Sequence, residues 1–321
     1  VFTMILFKQK FLSLISAIAL AMSGTNTVAQ TSAIYSGLDR VHPVVAKHGM
    51  VAAQEKVAAE IGLDILKEGG NAVDASVAVG FALAVTLPRA GNLGGGGFMI
   101  VHDAKAGATK AIDYREMAPK AAFKDMYLDA DGNPVKNRSR FHGLAIGVPG
   151  TVAGMIMALQ NYGSMPLTDV IAPAIKLARD GIVVTQSLSN NLKRAEERLK
   201  RWPQTAAVFY KSDGGFYEVG EIFKQPDLAH TLKLIAEHGV EGFYKGKIAQ
   251  KISNAVQAAE GMITLADMNA YRPIMRDTVS GTYRGYDIHS MPPPSSGGTH
   301  IVQILNTLEG YPLTDLGANS A

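Results

Sequence analysis

A run of four glycines and a following arginine are the residues with the clearest potential for chemistry in this chain. Residues 94–97 are all glycine in an apolar stretch, where each forfeits side-chain packing and costs backbone entropy. Such a run predicts either the wall of a binding pocket or a tight crossing of core elements. Arg115 follows it, and its planar guanidinium is suited to binding a carboxylate through two hydrogen bonds. The alternative for Arg115 is a structural salt bridge with Asp113 or Glu116.

The proline-rich loop at residues 291–298 is a second candidate, because it contains Ser295 and Ser296. A serine nucleophile needs a base within hydrogen-bonding distance and a group that orients the base. The sequence identifies neither of these groups. Three prolines and two glycines are typical of a stiff loop that turns sharply, so we interpret this loop as structural or pocket-shaping.

Metal and thiol chemistry find no support in the sequence. Cysteine is absent, which excludes disulfides and thiolate nucleophiles. The histidines show no metal-binding spacing. Residues 129–140 begin like a calcium-binding loop, but Arg140 stands where such a loop requires a glutamate. We therefore predict no metal, and because no P-loop motif occurs and the glycine run lacks the strand–glycine–helix order of a dinucleotide site, we predict no organic cofactor either.

Helices and strands in mixed order must position the candidate residues. Helical spacing predicts helices at residues 55–68 and 71–86, and the second is apolar on nearly all sides, which is typical of a buried helix. Strands predicted at residues 98–102 and 110–114 place Arg115 at a strand end. Further helices are expected near residues 151–162, 167–180, 187–199, 227–238, 247–259 and 298–309, with further strands at 49–53 and 282–291.

The N-terminus and the charge of the chain bear on its location and partners. The net charge is +3 and no long basic run occurs, so a nucleic-acid partner is not expected. Lys8 and Lys10 precede an apolar stretch at residues 11–22 that is too short for a comfortable membrane span, and a small-residue cleavage site follows at 27–29. This pattern predicts a signal peptide over residues 1–29, no stable membrane anchor, and a periplasmic or secreted protein. An uncleaved membrane anchor is the alternative.

Five ordered motifs together resemble the γ-glutamyltranspeptidase, or glutathione hydrolase, family. The matches extend from about His42 to Leu308 and cover most of the chain after the predicted signal peptide. An ordered set of this kind is far more specific than a lone glycine run. The motifs are KEGGNAVDA at 67–75, NLGGGGFM at 92–99, DYREMAP at 113–119, GVPGTVAG at 147–154 and MPPPSSGG at 291–298.

The resemblance implies an α/β (α+β) fold of the N-terminal-nucleophile hydrolase type, an αββα sandwich in which two subunits supply strands. It implies that residues 30–321 are the large-subunit part, truncated before the catalytic small subunit that the same precursor supplies. The implied substrates are glutathione and other γ-glutamyl compounds, with water, amino acids or peptides as acceptors. By the same resemblance, Arg115 would bind the α-carboxylate of the γ-glutamyl group.

The resembled family uses a threonine nucleophile, which becomes a new N-terminus when the precursor cleaves itself. Thr299 precedes His300 and superficially fits such a segment. However, Thr299 opens an amphipathic helix, whereas the family's nucleophile lies well beyond the proline-rich loop and starts a strand. We therefore assign no catalytic residue to this chain.

Because the resemblance implies that this chain lacks the catalytic half, we expect the chain alone to be inactive. We also expect strands at 98–114 and 282–290 to lack neighbours and leave apolar edges open to aggregation. Two alternatives remain. One is an acylase of the same superfamily that acts on a glutaryl group or on poly-γ-glutamate, and the other is a degenerate protein that only binds γ-glutamyl compounds.

Overall fold

The computed structural model describes residues 44–316 of the chain. The chain divides into two units, Val1–His48 and Gly49–Ala321. Residues 44–48 are the described part of the first unit, and they are exposed and irregular. Every helix and strand given below lies in the second unit. The predicted signal peptide at 1–29 lies outside the described residues.

Helices are more abundant than strands in the second unit. In chain order they are α1 Lys56–Lys67, α2 Ala72–Thr86, α3 Arg138–Phe141, α4 Thr151–Tyr162, α5 Leu167–Asp180, α6 Gln186–Arg194, α7 Glu196–Lys200, α8 Pro203–Phe209, α9 Pro226–His238, α10 Glu241–Tyr244, α11 Gly246–Ala258, α12 Leu265–Ala270, α13 Gly297–Glu309 and α14 Leu313–Leu316.

The strands form one three-stranded sheet and two short ribbons, all antiparallel. The main sheet has the order β1–β2–β5, and Ile112 of β2 lies opposite Met99 of β1 and Met275 of β5. The strands are β1 Phe98–Asp103, β2 Ala108–Asp113, β3 Ile182–Val183, β4 Ile222–Phe223, β5 Ile274–Asp277, β6 Val279–Tyr283 and β7 Tyr286–Ser290.

Helix α2 lies at the centre of the core, as its apolar composition predicts. Val77, Phe81 and Val85 on this helix are fully buried. The helix packs against α1, α4 and α5, and small residues allow the close approach. A Cβ at Gly62 of α1 would lie 2.6 Å from a Val79 methyl group. The backbone of α1 therefore packs directly against a side chain of α2 where the two helices cross.

A buried carboxylate fixes the start of α2. Asn71 caps the helix by accepting hydrogen bonds from the backbone N–H groups of Val73 and Asp74. The Asp74 carboxylate, which is fully buried, accepts hydrogen bonds from the Ser164 hydroxyl at 2.6 Å and from the Asn71, Ser164 and Met165 N–H groups. Burial opposes ionisation, but these hydrogen bonds outweigh it and lower the pKa of Asp74. Asp74 thereby joins α2 to the loop between α4 and α5.

Most of the predicted helices are confirmed with ends within one or two residues, but three of the predictions are wrong. Residues 49–53 form no strand, and none of the described strands pairs with them. The helix expected at 187–199 is broken at Ala195. In a continuous helix the Leu192 carbonyl would accept the Glu196 N–H, but here it accepts the Tyr210 hydroxyl at 2.9 Å.

The segment predicted as one strand at 282–291 is part of the β6–β7 hairpin instead. Arg284 and Gly285 both have positive φ angles, 49° and 83°, which is typical of a two-residue hairpin turn. The β5 strand was not predicted, because its partner β2 lies more than a hundred residues earlier in the chain. Within the described region β1 pairs with β2 alone, which leaves its other edge unpaired, and Ile100 on β1 is exposed.

None of the helices between residues 44 and 316 combines the length and the apolar character that crossing a membrane requires.

We predict that Asp74→Asn lowers the free energy of unfolding by about 2–3 kcal/mol, because the amide cannot accept all the hydrogen bonds that the carboxylate accepts. The pKa of Asp74 is lower in the folded state, so its contribution is present at neutral pH and lost as pH falls below about 4. Urea unfolding between pH 3 and 7 measures both effects. The control is Asp64→Asn, which changes an exposed carboxylate paired with Lys67 and is expected to have little effect. Equal losses in the two variants would contradict this account.

Candidate functional site

Arg115 lies just beyond the end of β2, as the sequence predicts. Tyr114 extends the pairing of β2 with the glycine run: its N–H donates to the Gly97 carbonyl at 3.1 Å, and its carbonyl accepts the Gly97 N–H at 3.2 Å. Beyond Tyr114 the chain leaves the sheet, and the Arg115 side chain is exposed. Its guanidinium carbon lies 5.9 Å from the centre of the Phe98 ring, within the range of a cation–π contact.

The carboxylate next to Arg115 in sequence is engaged elsewhere. Asp113 is 6% exposed and accepts a hydrogen bond from Arg276 Nε of β5 at 2.9 Å. Its other oxygen accepts the backbone N–H of Arg115 at 3.1 Å. Within residues 44–316, the Arg115 guanidinium forms no salt bridge with Asp113, with Glu116 or with any other carboxylate. The guanidinium therefore remains available to a ligand.

The four glycines serve two different purposes. A Cβ at Gly96 would lie 2.6 Å from the Tyr114 carbonyl oxygen and 2.7 Å from the Glu116 nitrogen, so this glycine allows the backbone crossing beside Arg115. Gly95 and Gly97 are similarly confined. Gly94 has no heavy atom within 4 Å of its Cβ position and lines the same cavity as Arg115. The tight crossing is thus seen at Gly96, while Gly94 lines the cavity beside Arg115.

Tyr114 connects the strand end to helix α4. A Cβ at Gly150 would meet the Tyr114 carbonyl oxygen, and one at Gly154 would meet the Tyr114 ring. The start of α4 is also tied to the glycine run, because the Gly95 carbonyl accepts the N–H groups of Gly150 at 2.7 Å and Thr151 at 3.1 Å. The motif at 147–154 therefore positions the same segment as the motif at 92–99.

Two further tyrosines, which the sequence did not single out, support the Arg115 backbone. The Tyr271 hydroxyl donates to the Arg115 carbonyl at 2.9 Å, and its ring stacks on Tyr244 with the ring centres 5.6 Å apart. The Tyr244 hydroxyl donates to the Pro149 carbonyl at 2.8 Å. Burial raises the pKa of both hydroxyls, so they remain protonated donors near neutral pH.

Arg115 opens onto a cavity of about 450 Å³. Glu116 contributes a second charged group, and most of the remaining lining comes from the chain that follows Arg115 and from the segment just before α4. Small and apolar residues predominate there. The lining residues include Gly94, Met117, Pro119, Met126, Tyr127, Leu144, Ile146 and Gly147.

In the described structure, neither serine of the proline-rich loop is hydrogen-bonded to a side chain that could act as its base. Ser295 Oγ accepts the N–H of Gly297 at 3.2 Å, and no basic side chain of residues 44–316 hydrogen-bonds to either serine. Thr299 lies in the first turn of α13, as expected. The described residues also contain no group of three or more histidines and carboxylates arranged to hold a metal.

The mixed fold is that of the N-terminal-nucleophile hydrolases. The Helicobacter pylori γ-glutamyltranspeptidase structure superposes with a TM-score of 0.85 and 46% identity, covering 87% of this chain and 80% of that one. The expected fold class is thereby confirmed.

The chain belongs to the γ-glutamyltranspeptidase family, whose sequence profile, described as Gamma-glutamyltranspeptidase, matches residues 58–321. It is 53% identical over 284 residues to a glutathione hydrolase proenzyme of Escherichia coli strain K12, covering 88% of this chain and 49% of the relative. It is 40% identical over 284 residues to the acylase ACY 1 proenzyme of Pseudomonas sp. strain V22, covering 87% of this chain and 50% of the relative. The chain thus spans about half the length of these curated relatives.

We predict that Gly96→Ala lowers the free energy of unfolding by about 2–4 kcal/mol, because the added methyl group overlaps backbone atoms that cannot move independently. Gly94→Ala is the matched control in the same run, since its methyl group would meet no atom within 4 Å. Urea unfolding of the two variants measures the difference. Equal stability of both variants would contradict close packing of Gly96 against the backbone beside Arg115.

Proposed function

We propose that this chain is the large-subunit part, residues 30–321, of a γ-glutamyltransferase or glutathione hydrolase. In this proposal Arg115 binds the α-carboxylate of the γ-glutamyl group. The observation that carries the proposal is the guanidinium of Arg115, which opens onto the cavity while Asp113 is paired with Arg276. An exposed arginine with no carboxylate partner is suited to a ligand that supplies one.

The cavity suits an amino-acid-like donor in charge as well as in size. Arg115 supplies a positive group and Glu116 a negative one, and a γ-glutamyl group carries both an α-carboxylate and an α-ammonium. The Phe98 ring beside the guanidinium limits its freedom, which reduces the entropy lost when a carboxylate is bound. These features support donor binding by this part of the protein.

The proposed reaction needs a threonine nucleophile, which we place outside residues 1–321. We propose that it belongs to a small subunit derived from the same precursor, which agrees with the word proenzyme in the names of the relatives. The threonine hydroxyl would attack the γ-glutamyl amide carbonyl, with its own α-amino group as base, and release the amine. The resulting γ-glutamyl ester would pass its acyl group to water or to the amino group of an amino acid or peptide. This sequence of steps requires no metal or organic cofactor, and the chain alone would be inactive.

We further propose a periplasmic or secreted location, on the basis of the signal-peptide pattern at residues 1–29. Lys8 and Lys10 supply the positive region of that pattern, and the apolar stretch at 11–22 supplies its core.

The second candidate function is that of an acylase acting on a glutaryl group or on poly-γ-glutamate. The specific observation in its favour is the 40% identity to an acylase proenzyme. A glutaryl group has a carboxylate for Arg115 but lacks the α-ammonium. A protein that only binds γ-glutamyl compounds is the non-enzymatic alternative.

We predict that Arg115→Gln lowers kcat/KM for a γ-glutamyl anilide about 100-fold in the precursor that contains this chain and the proposed small subunit, because a charged partner of the carboxylate is lost. Self-cleavage of the precursor should continue, and Arg115→Lys should restore part of the activity. Arg284→Gln, which changes an exposed arginine in the β6–β7 turn, is the matched control. Unchanged kinetics in Arg115→Gln would refute the assigned role.

We predict that the same precursor hydrolyses the γ-glutamyl anilide at least tenfold faster than the glutaryl anilide, because the latter lacks the α-ammonium that would face the negative charge of Glu116. Steady-state rates at equal substrate concentrations test this directly. Preference for the glutaryl compound would favour the acylase, and binding without turnover of either compound would favour the non-enzymatic alternative.

A further inference from the structure

A group of arginines surrounds a second cavity, which Arg115 does not line. Arg89, Arg194, Arg198 and Arg201 line this arginine cavity, which has a volume of about 630 Å³. Arg89 comes from the turn after α2, and the other three come from the region where α6 ends and α7 follows. All four side chains are exposed. Two separate parts of the chain thus bring positive charge to one place.

The arginines are not neutralised by the described protein. Within residues 44–316 none of the four forms a salt bridge, although the neighbouring Lys193 pairs with Glu218 and Lys200 pairs with Glu196. Glu197 is the carboxylate that lines the arginine cavity. The formal charge around the cavity is therefore strongly positive, and a concave surface with charge of one sign concentrates ions of the opposite sign.

An apolar pocket adjoins the arginine cavity. It has a volume of about 160 Å³ and is lined largely by leucines and an aromatic ring. Arg89 and Arg198 line both spaces, so these two residues lie where the polar and apolar parts meet. Glu55 also lines the apolar pocket. The apolar lining residues are Leu87, Leu188, Leu192, Leu199 and Phe209.

We propose that these joined cavities bind a small amphipathic anion. Its acidic group, a carboxylate, sulfonate or phosphate ester, would contact Arg89 and Arg198, and its hydrocarbon group would enter the apolar pocket. An apolar cavity of about 150 Å³ is large enough to hold a benzene molecule, so the hydrocarbon group is about the size of one ring or a six-carbon chain. Guanidiniums bind carboxylates and phosphates in the same forked geometry, so the two arginines would accept any of these acidic groups.

The combination of the two cavities distinguishes this ligand from simpler ones. A bare inorganic anion would leave the apolar pocket empty and forgo the burial of hydrocarbon. An uncharged hydrocarbon would leave the guanidiniums unpaired. Only a molecule with both parts gains both contributions.

The test is calorimetric titration of the 321-residue chain with hexanoate, inorganic phosphate and 1-hexanol. Hexanoate should bind saturably and at least tenfold more tightly than either of the others. Trp202 is the only tryptophan of the chain and shares a neighbouring cleft with Arg198 and Leu199, so its fluorescence provides an independent local reading. Equal binding of phosphate and hexanoate, or no saturable binding of hexanoate, would overturn the proposal.

Substitutions of the cavity arginines test whether hexanoate binds in the joined cavities. Arg89→Gln and Arg198→Gln should each raise the dissociation constant of hexanoate about tenfold, because each removes a charged hydrogen-bond donor. Lys105→Gln, in the exposed turn between β1 and β2, is the control for the loss of one positive charge. Arg284→Gln, which changes an exposed arginine in the β6–β7 turn, should likewise leave hexanoate binding unchanged. Hexanoate binding that none of the cavity variants weakens would place it elsewhere and refute the assignment.

Discussion

The pairing of Asp113 with Arg276 is the interaction on which the geometry of the Arg115 site depends. It joins the last residue of β2 to β5, and the same carboxylate holds the Arg115 backbone through its N–H group. Because Asp113 is buried, an unpaired charge there would be costly, and Arg276 compensates for it. With its sequence neighbour occupied in this way, the Arg115 guanidinium forms no salt bridge with the residues that the structure describes, and Arg115 lines the cavity.

Close backbone packing keeps this arrangement rigid. Gly96 passes directly beside the Tyr114 and Glu116 backbone, and Gly150 and Gly154 bring α4 against Tyr114. These glycines belong to motifs far apart in the sequence, yet they surround the same two or three residues. Glycine is therefore required at these positions, since a Cβ at Gly96 or Gly150 would overlap the backbone next to Arg115 and one at Gly154 would overlap the Tyr114 side chain.

Local patterns predicted local structure well, and long-range contacts account for what they missed. The all-round apolar character of α2 predicted its burial, and the two strands around Arg115 were found from composition and turns. The break at Ala195 depends on a hydroxyl from Tyr210, and β5 depends on pairing with a distant strand. Arg276 was not identified as the partner of Asp113 for the same reason. The turn at Arg284 and Gly285 did carry a local signal, because a glycine there favours a hairpin.

The central claim is that Arg115 is a carboxylate receptor kept free by the Asp113–Arg276 pair. A crystal structure of the precursor that contains this chain, with glutamate bound, tests it most directly. The account predicts an α-carboxylate in two-point contact with the Arg115 guanidinium at about 2.7–2.9 Å, with the Asp113–Arg276 pair intact. A glutamate bound away from Arg115, or an Arg115 paired with Asp113 or Glu116 while glutamate is bound, would contradict it.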